Sequence, residues 1–180
     1  DKVVPELDAF RFASYCGISG VTKKEETLAD GAATVAALSA AVTAMDDEEV
    51  TATGRYLFIT PTLLQGINDM DTTKSKKVLE GFEQVIKVPQ RRFYTAIKQL
   101  SGKTGEEAGG YTKATGAANI NFAIVQKDAL IQYTKHAAPK IIAPENNPDA
   151  DAYVFGYRMV GIAKAYKNML SGMYFSHDKA

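Results

Sequence analysis

Four consecutive large apolar residues, Tyr56-Leu57-Phe58-Ile59, stand between Gly54 and Pro61. A run this short, bounded by turn residues, reads as a β-strand buried on both faces. Such a strand calls for packing elements on both sides of its sheet. Thr60-Pro61 follows it as an N-cap candidate with proline at the first helical position, predicting a helix over Thr62 to about Asn68. Upstream, Leu28, Val35, Leu38, Val42 and Met45 recur at spacings of seven, three, four and three, with alanine between them. That pattern predicts one striped helix from about Leu28 to Met45. Asp46, Asp47, Glu48 and Glu49 oppose the macrodipole at its end and mark a solvated turn.

The remaining elements are mixed. Pro5 suits a first helical turn, with Glu6 to Phe12 following as a docked helix that Gly17 and Gly20 end. Thr22–Thr27 reads as a polar connector and Asp69–Ser75 as a polar loop. Gln84–Val88 is a second strand, stopped by Pro89, and Asn121–Gln126 a third. Ser101–Ala118, rich in Gly, Thr, Lys and Glu, reads as a long mobile loop. Leu130–Ile142 is expected to be extended and broken around Pro139. Ala152–Tyr166 permits helix or strand, but the alternation of Tyr153, Phe155, Tyr157 and Met159 favours a long strand, with another over Leu170–Phe175. With no βαβ repeat and no solenoid period, the class is α+β.

The chain has 180 residues, 46% of them apolar, enough for one domain with a real core. Basic and acidic residues balance at 21 each, so overall charge makes no case for nucleic acid or an anionic membrane. The balance hides a polarity: residues 1–90 carry 9 basic and 14 acidic groups, residues 91–180 carry 12 and 7. This permits two readings, solvated faces or a subunit that meets its own copies with opposite charges facing. Cys16 is the single cysteine, which excludes a disulfide framework and suggests a reducing compartment. No apolar run is long enough for a membrane span. The chain begins Asp-Lys-Val without a leader or initiator Met, which predicts a trimmed piece of something longer.

No catalytic constellation emerges. His136 and His177 lack partners at metal-binding spacings and read as one packed strand histidine and one tail histidine. Cys16 reads as a buried structural thiol. Gly102-Lys103-Thr104 matches the end of a P-loop, but Ile97 stands where the first glycine belongs. Lys103-Thr104-Gly105 and Ser176-His177-Asp178-Lys179 resemble penicillin-binding elements in reversed order, with the second too near the end to sit on a helix. Arg91-Arg92-Phe93-Tyr94 is the one basic and aromatic cluster; Arg91 and Arg92 are candidates for nucleic-acid or inter-subunit contact. Tyr153, Phe155 and Tyr157 are expected in the core or at a subunit interface. No catalytic residue, metal or cofactor is expected.

Taken in order, VVPELDAFRFASY, GRYLFITP, EQVIKVPQRRF, INFAIVQKDAL, KHAAPKIIAPE and YRMVGIAKAYKNMLSGMYF resemble the major capsid proteins of tailed bacteriophages and prophages, the Hong Kong 97-type fold. The resemblance covers essentially the whole chain and rests on the order and spacing of loose segments. It implies an axial-domain sheet flanked by helices over about residues 25–150, with peripheral-domain parts at 1–24 and 151–180, in a single capsid domain lacking the family's N-terminal arm and extended loop. The implied partners are copies of the same chain, in hexamers and pentamers enclosing packaged DNA within a virion made in the bacterial cytoplasm. No membrane or small-molecule substrate is implied. The isolated chain is expected to be monomeric or weakly associated. The alternatives are an encapsulin-like nanocompartment shell and a small enzyme with an unrecognised site.

Overall fold

The computed structural model describes residues 3–70, 72–106 and 108–179. Asp71, in the expected 69–75 loop, and Glu107, in the expected 101–118 loop, lie outside the described residues. In chain order the elements are α1 (Val3–Cys16), β1 (Thr22–Glu25), α2 (Gly31–Asp47), β2 (Arg55–Ile59), α3 (Pro61–Asp69), α4 (Thr73–Glu80), β3 (Gln84–Lys87), β4 (Ile97–Gln99), β5 (Tyr111–Lys113), β6 (Ile120–Gln126), β7 (Leu130–Ile142), β8 (Val154–Ala165) and β9 (Met173–His177).

Five strands form one mixed sheet in the order β1-β9-β6-β2-β3, with β6 antiparallel to both neighbours and the two outer pairs parallel. Strand β6 is central, and all seven of its residues are buried. The period of two sends its side chains into separate layers. Phe122 and Ile124 join Leu57, Ile59, Tyr174, Leu38 and Met45 under α2, α3 and α4. Ala123 and Val125 join Phe93, Met173, Phe175 and Tyr15 under α1. Strand β2 follows the expectation: Leu57 and Ile59 face the first layer, while Phe58 packs on the second. Phe12 of α1 meets Phe58 and Phe93 edge-on, at ring separations of 5.2 and 4.7 Å.

The striped helix begins three residues later than expected because Asp30 caps it, accepting from the Ala33 amide at 2.7 Å. It ends in a Schellman motif, with Glu49 N–H donating to Asp46 O at 2.9 Å and Val50 N–H to Met45 O at 3.0 Å. The left-handed residue is Glu49, at φ 57°, where glycine would be free of strain. Glu49→Gly removes that strain and one charge at the negative end of the helix dipole. We expect stabilisation of about 1 kcal/mol, read as a raised urea midpoint at constant m.

Several expectations are corrected. Thr22–Glu25 is an edge strand, not a connector, because its backbone pairs with β9 although all four side chains are exposed. Thr73–Glu80 is a helix: Thr72 and Ser75 form a reciprocal capping box within what reads as a polar loop. The 101–118 segment is not loop throughout, because Tyr111–Lys113 pairs with β4. Thr60 precedes α3 without a side-chain cap bond, although Pro61 opens the helix as expected. Strand β7 runs through Pro139 unbroken, and its irregularity falls between Thr134 and His136. A two-stranded ribbon tolerates proline because a strand edge has an unpaired side. The final strand starts at Met173, after a 3-10 turn at Leu170–Gly172.

Candidate assembly surface

Arg91 and Arg92 lie in a 3-10 turn after β3 and are engaged differently. Arg92 Nη1 bonds Asp8 Oδ2 at 3.1 Å, tying the turn to α1 within the chain. Arg91 is exposed, and its carbonyl accepts from the Tyr111 hydroxyl at 2.8 Å. Lys113 Nζ lies 5.7 Å from the Tyr94 ring centroid beside them. The expected cluster is therefore partly consumed by contacts that hold α1 and the β4–β5 hairpin in place.

Titratable groups with displaced pKa values do not converge. Burial raises the Cys16 thiol and the Tyr15 hydroxyl, as suits packed core groups. Glu106 is lowered to about 2 by hydrogen bonds from Lys98 Nζ and from the Ser101 amide and hydroxyl, all at the tip of the β4–β5 hairpin. Its environment holds a loop rather than preparing a reactive carboxylate. Among the described residues no group of three or more His, Cys, Asp or Glu could hold a metal ion, and no helix is long and apolar enough to cross a membrane. His136, expected to be packed, is exposed at the irregularity in β7; His177, at the end of β9, is half-buried.

The unusual surface is the β7–β8 ribbon. These strands, 13 and 12 residues long, pair only with each other among the described residues. Leu130, Ala163 and Ala165 pack the base against the layer under α1, and Gln132 presents its amide oxygen to both Arg11 terminal nitrogens at 3.2 Å. The rest leaves its apolar side chains in solvent. Phe155 is 75% exposed, Ile141 65% and Tyr133 62%, with Tyr157, Val160 and Ile162 close behind. The expected aromatic stripe is thus absent from this chain's core. Tyr153 and Phe155 stack only on each other, at 6.2 Å. An open groove of about 530 Å³ separates the ribbon from α1, lined by Leu7, Phe10, Tyr157 and Met159 among others.

Isolated two-stranded ribbons are marginal in water, and contiguous exposed apolar surface of this kind marks an interaction site. The main sheet discourages edge pairing, with Lys23 and Lys24 on β1 and Lys87 on β3. Sequence reading missed Tyr133, Ile141, Val160 and Ile162 as surface residues. The available signal was two long strands whose apolar residues occupy both parities, so that packing on one face could not cover them all.

No protein-family model matches the sequence, and no curated protein matches it. Solved structures do match. A chain from Mycobacterium phage Che8 superposes with a TM-score of 0.59 at 9% identity, over 97% of this chain and 58% of that one. A chain from the capsid structure of the cyanophage P-SCSP1u superposes with a TM-score of 0.53 at 17% identity, over 98% of this chain and 61% of its own. At these identities the likeness is one of fold, and this chain spans about three fifths of each neighbour's length. The α+β architecture is therefore one that occurs in a phage capsid structure.

Proposed function

We propose that this chain is the shell-forming part of a major capsid protein of a tailed phage or prophage, of the Hong Kong 97 type. Its work is self-association into pentamers and hexamers that close around packaged DNA, and its location is the virion. The observation that carries the reading is the ribbon: a chain with a phage-capsid fold leaves the distal part of its longest strands apolar and exposed. In a shell those faces would be buried between copies, where many modest contacts are multiplied by closed symmetry. Arg91, free of ion pairs among the described residues, is offered as an inter-subunit contact at the rim. No enzymatic step is assigned.

Sedimentation velocity and electron microscopy test the proposal. The chain is expected to be monomeric when dilute and to form rings of five or six copies, or curved sheets of them, as its concentration rises. A tight dimer that neither grows nor dissociates overturns the reading. Closed particles filled with protein cargo instead of DNA in producing cells would assign the shell to a nanocompartment.

A further inference from the structure

Resting on the shell reading, we propose that the ribbon face opposite Ala163 and Ala165 docks on the acidic C-terminal corner of α2 in a second copy of this chain. The register places Lys140, Arg158 and Lys164 on that face, interleaved with Val154, Val160 and Ile162, of which Arg158, Val160 and Ile162 also border the groove beside α1. Neither strand contains an acidic residue. Among the described residues these three cations form no salt bridge. The face is therefore both apolar and uniformly positive.

The same chain carries the complement. Asp47, Glu48 and Glu49 end α2, are exposed, and form no salt bridge among the described residues; only Asp46 is engaged, by Arg55. The helix dipole adds negative potential at the same point. Half-buried Val42 and Val50 border this corner and supply apolar surface for the ribbon's valines. The corner lies on the α2 layer, whereas the ribbon packs on the α1 layer. The two patches therefore cannot satisfy each other within one copy. A contact joining different patches is heterologous, the kind that propagates head to tail and closes into rings when the rotation permits. Nucleic-acid phosphate could also neutralise the ribbon, but it would leave the acidic corner unmatched.

A charge exchange tests the contact. One variant carries Lys140→Glu, Arg158→Glu and Lys164→Glu; the other carries Asp47→Lys, Glu48→Lys and Glu49→Lys. All six positions are exposed, and unchanged circular dichroism with a cooperative melting transition confirms that each variant folds. In low-salt sedimentation each variant alone should associate at least about tenfold more weakly than the unmodified chain, and an equimolar mixture should recover most of the loss. Recovery supports the contact, because in the mixture the acidic ribbon of one variant meets the basic corner of the other, and the two unaltered patches meet in the reverse contact. Association unaffected by either set, or weakened without recovery on mixing, overturns it while leaving the shell reading intact. Absence of any association by the unmodified chain at high concentration overturns both. Binding of the unmodified chain to a short DNA duplex, abolished by the ribbon set while self-association persists, assigns the face to phosphate instead.

Discussion

Gly31→Ala should destabilise the protein by about 3 kcal/mol, whereas Gly66→Ala, on the facing helix, should be neutral or slightly stabilising. Gly31 opens α2 just after its Asp30 cap, and a Cβ built there would lie 2.1 Å from the Gly66 carbonyl oxygen and 3.0 Å from Met70 Sδ. The nearest obstacle is backbone, so no rotamer change relieves it. α2 and α3 would have to separate, opening the layer that holds Leu64, Ile67 and Leu38. Overpacking usually costs roughly 1–3 kcal/mol, and a backbone clash belongs at or above the top of that range. The backbone at Gly31 lies outside the left-handed region, so the requirement there is space and not conformation. Gly66 is the converse. Its added Cβ would sit 3.4 Å from Gly31 N, a tolerable approach, and alanine in a helix interior gains roughly 0.5–1 kcal/mol over glycine. Urea melts of both variants check the asymmetry; equal midpoints would refute the crossing geometry. At roughly 2–4 °C per kcal/mol for a domain of this size, Gly31→Ala should also melt several degrees lower.

That crossing shows where sequence reading reaches its limit. The stripe of Leu38, Val42 and Met45 identifies α2 as amphipathic, and Pro61 identifies the start of α3. Neither shows that two glycines lie at the point where the helices touch. Local signals recovered strands β2 and β3, because apolar runs bounded by glycine and proline carry their own punctuation, and β6, because Phe122 to Val125 is a continuous apolar run. They failed at β1, whose four side chains are polar and exposed and whose strand character comes wholly from pairing with β9, about 150 residues away in the chain. They failed at α4, where the capping box of Thr72 and Ser75 is built from residues equally at home in a loop. The candidate surface was half legible. The alternation of Tyr153, Phe155 and Tyr157 predicted a strand, but exposure is a property of what else packs nearby. Only the structure shows that, among the described residues, no third strand pairs with the ribbon.

Replacing Arg55 tests how the acidic corner is held in place. Arg55 is 2% exposed, and its guanidinium meets the end of α2 at Asp46. Arg55 Nε donates to Thr51 O at 3.1 Å, Arg55 Nη2 donates to Val50 O, and Nη2 also meets Asp46 Oδ1 at 2.7 Å. One buried cation thus collects two carbonyls of the turn and one carboxylate, fixing the chain path from α2 into β2. Hydrogen bonds to charged groups contribute about 1.5–3 kcal/mol each, and Val50 O is half-shielded from water that could replace its donor. We expect Arg55→Met, which keeps the apolar stem, to cost about 2–3 kcal/mol, and Arg55→Ala to cost roughly a further 1 kcal/mol for the space it leaves. Asp46→Asn should cost under about 1 kcal/mol, because the Asp46 side chain is 55% exposed and rehydrates readily. The order of these effects decides which interaction matters. If the ion pair were the main anchor, Asp46→Asn would approach Arg55→Met in cost, and both would soften together in high salt. If the carbonyls are, Arg55→Met stands well apart and its cost barely changes with salt. The second pattern is expected, because the carbonyl bonds are shielded and the carboxylate is not. Arg55→Met should also loosen the turn carrying Asp47, Glu48 and Glu49. Hydrogen exchange at the Glu49 and Val50 amides, which close the Schellman motif, should accelerate at least tenfold while exchange in β6 slows or quickens only with global stability.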